Sequence, residues 1–171
     1  RIRVMEIAGT LAATQAVRAV FSDDPFYEWA SLPESAIDYS RFAGQQMIVI
    51  NQLRSLSSGL VSELNKFMES GGSVLVIPAT EIVLNEYNAA LALWKAGQIA
   101  GKMNTPSPVT TVNYEHYIFK EAFQRSAGNI DLPTATLYYN LILSTAQLAE
   151  PMLTLQNGSS FLVSASIGHG R

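Results

Sequence analysis

The chain has 171 residues, of which 48% are hydrophobic and 15% charged, and its net charge is −3 at neutral pH. That composition belongs to a folded domain with a sizeable core and excludes a disordered tail; the 11 Lys and Arg, scattered singly, leave no electrostatic footprint for nucleic acid. Cysteine is absent, which removes disulfides, thiolate metal sites and cysteine nucleophiles together, and no apolar run is long enough to cross a bilayer.

In chain order, residues 2–8 predict a buried strand that ends at Gly9. Residues 10–21 then place Leu11, Val17, Val20 and Phe21 at helical spacing, and Asp23, Asp24 and Pro25 stop that helix. FYEWAS predicts a second strand, and the polar stretch from Pro33 to Gly44 a connection with one turn of helix. Met47 to Ile50 form an apolar run ending at Asn51, the pattern of a strand buried on both faces of a parallel sheet. Ser57 or Ser58 caps a helix with Leu60, Leu64, Phe67 and Met68 on one stripe, and Gly71 fits the left-handed position that closes it. Val74 to Ile77 predict the next buried strand. A third helix is expected from about Glu81 to Lys95, with Val83, Tyr87, Ala90, Leu91 and Trp94 inside.

Strands alternating with helices require crossover connections, so the expected architecture is a doubly wound α/β domain with a mostly parallel sheet. After Gly101 the pattern becomes β-rich and punctuated by proline. YIFKEAF reads as a short helix, and TATLYYNLIL, MLTLQ and SSFLVSAS as strands that extend the sheet or pack beside it in antiparallel fashion. Asn157-Gly158 predicts a hairpin with a type I′ turn. The whole of 1–171 is expected to be one domain. With Arg1 leading almost directly into an apolar strand, and the turn Gly168-His169-Gly170 calling for a return strand, it reads as a piece of a longer polypeptide.

MIVINQLRSLSSGLVSELNKFMESGGSVLVIPA resembles the strand, helix, Gly-Gly and strand unit of class I glutamine-amidotransferase-like domains, which are flavodoxin-like three-layer α/β sandwiches. EHYIFKEAF, IDLPTATLYYNL and LTLQNGSSFLVSASIGHGR are similar to the C-terminal part of a bacterial membrane-protein family with an aerotolerance-regulator (BatA-like) N-terminal region. The resemblance spans most of residues 36–171. It implies an extracytoplasmic domain of an inner-membrane protein whose spans lie outside this segment. It also implies that the turn after Val74 to Ile77 is the place of the nucleophilic cysteine. Here that turn is Pro78-Ala79-Thr80, which has no such nucleophile.

The leading functional expectation is therefore a non-catalytic domain acting in protein interaction or assembly, with no cofactor and no metal. One alternative is a hydrolase whose nucleophile has moved to Thr80 or Ser55 with His116 as base; the simpler reading of Thr80 is a helix cap. His116, with Glu115 and Asp131, lacks the ligand spacing of a metal site, and His169 reads as a turn residue. Gly71-Gly72 follows a helix and precedes a strand, the reverse of a phosphate cradle. The aromatic residues Tyr114, Tyr117, Phe119, Phe123, Tyr138 and Tyr139 are expected in a core. The remaining alternative is a module binding a sugar or peptide beyond the strand ends, where Gly9, Asn51, Gln52, Thr80 and Glu81 fall.

Overall fold

A computed structural model describes residues 1–122, 130–143 and 149–171, so Phe123 lies outside the described residues. Its contacts divide the chain into two compact units, one formed by Arg1–Ala90 with Ser166–Arg171 and the other by Leu91–Ala165.

In the first unit β1 (Ile2–Ala8), β2 (Tyr27–Pro33), β3 (Met47–Asn51) and β4 (Ser73–Ile77) form an all-parallel sheet in the order β2-β1-β3-β4. The central strands β1 and β3 are buried on both faces, as their unbroken apolar runs require. Alternate residues of a strand face opposite ways, so Val4 and Val49 share one face, where Val17 of α1 (Thr14–Phe21) packs on them. Each fully buried aliphatic side chain of this kind stabilises the fold by roughly 1.5–3 kcal/mol. Helix α2 (Ser58–Glu69) begins at Ser57, whose hydroxyl accepts from the Leu60 N–H at 3.2 Å, and it buries Leu60, Leu64, Phe67 and Met68. Gly71 closes it at φ +103°.

Two helices start later than their apolar spacing predicts. Residues 10–13 form a turn that leaves Leu11 86% exposed; within α1 Val17 is buried, Phe21 half-buried against the same core, and Val20 65% exposed. Helix α3 (Leu84–Leu93) begins after Val83, whose carbonyl accepts from the Glu86 and Tyr87 N–H groups. Thr80 is thus not its cap. Tyr87 and Ala90 are buried as expected, Leu91 is half-buried, and Val83 is exposed.

The second unit contains β5 (Gln98–Met103), β6 (Ser107–Val112), α4 (Tyr117–Ala122), β7 (Thr134–Ala135), β8 (Tyr138–Ile142), β9 (Ala149–Leu155) and β10 (Ser160–Ala165). One antiparallel sheet has the order β10-β9-β6-β7, and β5 pairs with β8. Val109, Ala135 and Leu155 form its core with Leu132, Tyr138 and Leu153. Of the aromatic residues expected inside, Tyr114 and Tyr117 are exposed.

The doubly wound, flavodoxin-like expectation is corrected by this topology. The parallel sheet stops at four strands, and β2 is joined to β3 by 3-10 turns at Glu34–Ala36 and Tyr39–Gly44 where a crossover helix was implied. The later strands do not extend that sheet; they pair among themselves and curl as a half-barrel. The physical reason is the connection length. The short link Gln156 to Ser159 permits the antiparallel pairing of β9 with β10 and cannot carry a parallel crossover. The hairpin at Asn157-Gly158 also differs from a type I′ turn, because Gly158 alone has positive φ, at +86°. The Gly158 N–H donates to Leu155 O and the Leu155 N–H to Ser159 O, the pattern of a type I turn closed by a glycine bulge.

Residues 166–171 return to the first unit. Ile167 and Gly170 bridge across a tight turn that contains the exposed His169. A Cβ on Gly170 would lie 2.1 Å from Gly72 O, so this turn sits hard against the end of α2. Among the described residues no helix is long and apolar enough to cross a membrane.

Candidate functional site

All strands of the parallel sheet run in one direction, so the loops after β1, β3 and β4 gather at one edge. Backbone geometry there is tight. The Gly9 N–H donates to Asn51 O at 2.9 Å, the Gln52 N–H donates to Ile77 O at 2.8 Å, and a Cβ on Gly9 would lie 2.1 Å from Gln52 O. Only glycine permits that approach. Gln52 itself takes φ +57°, a left-handed conformation that costs a non-glycine residue about 1 kcal/mol.

Beneath this edge lies a polar pair. Asn51 is 2% exposed and its Nδ2 donates to Glu6 Oε1 at 2.7 Å and to Ala13 O at 2.8 Å. Glu6 is fully buried on the face of β1 shared with Val4, and its Oε2 has no hydrogen-bond partner among the described residues. Asn51 therefore ties the middle of β1 to the turn that starts α1. Glu6 is the residue that sequence reasoning missed; the signal was a lone acid inside the otherwise apolar run VMEIA.

The loop after β3 is fastened to α3. Leu53 O accepts from the Tyr87 hydroxyl at 2.5 Å, Arg54 O accepts from the Val83 N–H at 2.7 Å, and the Ser55 hydroxyl donates to Glu86 Oε2. After β4, Pro78 is exposed, Ala79 is buried, and Thr80 and Glu81 are exposed, each with a partner of its own. The expected strand-end residues thus divide by depth. Gln52, Thr80 and Glu81 are at the surface, while Asn51 is an internal strut. Leu11 and Val83 in the loops of the same edge, and Leu84 at the first residue of α3, expose apolar side chains at 86%, 37% and 43%.

His116 belongs to the second unit, and Thr80 and Ser55 to the first. It stands at the start of α4, buried, where its Nδ1 accepts from the Ile118 N–H at 3.3 Å and its carbonyl accepts from the Phe119 and Lys120 N–H groups. Its Nε2 faces Glu150 Oε2 at 3.8 Å. Its Nδ1 is engaged within its own unit, as a helix cap would have it. Among the described residues no group of three or more His, Asp or Glu is placed to hold a metal ion.

No family model and no curated protein matches the chain. Solved structures do match in fold. The chain is similar to an exo-β-1,4-mannosidase, Op5Man5, from Opitutaceae bacterium strain TAV5, with a TM-score of 0.65 at 12% identity over 98% of this chain. It spans 29% of that mannosidase's length. It is also similar to a ThuA-like protein from Bacteroides uniformis, with a TM-score of 0.64 at 13% identity over 99% of this chain and 78% of the other. The mmIFT52 N-terminal domain matches with a TM-score of 0.57 at 14% identity, over 88% of this chain and 72% of that one. None of these three is a glutamine amidotransferase or a BatA protein; the flavodoxin-like and amidotransferase-like description of the fold is replaced by that of a mixed α/β fold with a curled half-barrel. At such identities the likeness is one of fold.

Proposed function

We propose that the chain is a non-catalytic interaction domain whose strand-end loops form a rigid platform for an apolar surface of another protein. The observation that carries this reading is the exposure of Leu11, Val83 and Leu84 at the edge where the loops are held by Tyr87, Glu86 and Asn51. A fixed backbone with exposed apolar side chains binds without a large ordering cost. The engaged hydroxyls of Ser55 and Tyr87 and the capping role of His116 favour it over a hydrolase. In this reading any attachment to a bacterial inner membrane, with the domain on the extracytoplasmic side, comes from segments other than residues 1–171. The likeness to part of a mannosidase leaves sugar binding at the same edge as the second reading.

A photo-crosslinking phenylalanine derivative placed at Leu11 tests this in cells of a bacterial host. A discrete protein adduct is expected from Leu11, absent from the exposed control position Arg18 and lost with Val83→Asp and Leu84→Asp. Absence of any discrete adduct, saturable binding of a sugar, or ester or glycoside turnover abolished by Ser55→Ala would replace the proposal.

A further inference from the structure

The face of the parallel sheet that α1 covers carries a second polar site. Partners in a parallel ladder turn their side chains to the same face. The register therefore sets Trp29 of β2 beside Val4 and Met47, and in the next row it sets Ser31 of β2 beside Glu6 and Val49. Val17 of α1 packs on Val4 and Val49, and Trp29 packs against the same core. Within this apolar cover two polar atoms, Glu6 Oε2 and Trp29 Nε1, are buried without a hydrogen-bond partner among the described residues. Neighbouring strands lie about 4.8 Å apart and two residues rise about 6.6 Å, so the Glu6 and Trp29 backbones stand about 8 Å apart on the diagonal, within reach of two long side chains and one small molecule between them.

The chemistry of the pair is selective. An indole N–H only donates, and a carboxyl oxygen has lone pairs to offer. Asn51 Nδ2 of β3 holds Glu6 Oε1 at 2.7 Å, and because the two oxygens of a carboxyl diverge, Oε2 lies away from Asn51. A molecule that joins the indole to this oxygen must accept from one and donate to the other. A metal cation or an ammonium ion has no lone pair for the indole, and a simple anion has no proton for the carboxyl oxygen. Both atoms are closed off from solvent, which leaves no opening for a hydroxyl carried on a larger ligand. We infer that one internal water molecule is bound beneath α1, accepting from the Trp29 Nε1–H and donating to Glu6 Oε2. The half-buried Ser31 hydroxyl, in register with Glu6, supplies a third bond, the usual number for a buried water. The water ties the edge strand β2 to β1 through side chains, as Asn51 ties β1 to the turn before α1. This inference is independent of the interaction edge, which lies at the strand ends.

The chain has two tryptophans, so it gives two indole N–H signals, which Trp29→Phe assigns. In isotope-edited NOESY and ROESY spectra the Trp29 indole proton is expected to show a cross-peak at the water frequency whose sign relative to the diagonal reverses between the two experiments. That reversal marks a bound water and separates it from proton exchange. Ser31→Ala leaves the water two bonds, within the range that buried waters use, and is expected to keep the cross-peak. Glu6→Met removes the acceptor at similar length and is expected to abolish it. No such cross-peak in the unsubstituted chain overturns the proposal. Loss with Ser31→Ala assigns the signal to the exchanging serine hydroxyl and overturns it as well, and so does a cross-peak that survives in folded Glu6→Met. The unsubstituted chain and Ser31→Ala decide the matter even where Glu6→Met does not fold.

Discussion

The Glu6 carboxyl sits wholly inside the sheet with one oxygen bonded to Asn51 and the other to no described residue. A buried polar atom without a partner costs free energy whether or not the group is charged. Glu6→Gln keeps an acceptor for Asn51 at the same shape, so urea denaturation at neutral pH is expected to show stability changed by no more than about 1 kcal/mol. Asn51→Ala leaves Glu6 Oε1 and Ala13 O unmet together and is expected to cost about 2–3 kcal/mol in the same assay. A second residue-scale test concerns pH. The Ser40 hydroxyl donates to Asp38 Oδ1 at 2.6 Å and the Ser40 N–H donates to it at 3.0 Å; these bonds, the side-chain one foremost, hold the Asp38 carboxyl below the usual aspartate range. A folded-state value below the unfolded one means that the cap contributes above the ordinary aspartate range and is lost as pH falls through the folded value. Ser40→Ala is expected to move the Asp38 titration, followed by the carboxyl carbon shift in NMR, back up toward the ordinary value.

At the scale of elements, the sheet's exit is the most constrained feature, because β1 and β3 leave it with backbones in contact at Gly9 and Gln52. Gly9→Ala drives a Cβ into Gln52 O, a backbone atom that cannot swing aside, and is expected to lower stability by about 2–3 kcal/mol in denaturant titration. Gln52→Gly relieves the left-handed strain at φ +57° and is expected to be neutral or stabilising by up to about 1 kcal/mol; Gln52→Val is expected to destabilise. Which elements were legible follows from where their signals reside. β1, β3 and the Ser57 cap of α2 are written in local spacing, and the structure places them where that spacing does. The first turns of α1 and α3 are not, because Leu11 and Val83 sit at helical spacing yet remain exposed before the first helical residue. Apolar periodicity cannot distinguish a side chain turned to the core from one displayed at an edge. Gln52 carries no turn signature of its own; the absence of a Cβ on Gly9 leaves room for its carbonyl.

For the whole molecule, the sequence pattern locates α4, β8, β9 and β10 as well as the parallel strands but does not say which of the later strands pair, since the pairing of β6 with β9 joins residues some forty positions apart and nothing local specifies it. The same non-locality makes the first unit discontinuous: the chain leaves it after Ala90 and returns at Ser166. The returning segment holds its place through Gly170, seated against Met68 and Gly72, and through the Arg171 bonds to Gly72 and Val74. Deleting residues 166–171 removes these bonds and uncovers the end of α2, and a loss of about 2 kcal/mol is expected from their number and partial exposure. The loss belongs to the parallel sheet. Amide exchange at Val74 should therefore accelerate in the truncated chain, while the Leu155 amide, bonded to Ser159 within the antiparallel unit, keeps its rate. Equal acceleration at both amides would mean that the two units open together, and an unchanged Val74 would mean that the returning segment contributes nothing to the sheet it touches.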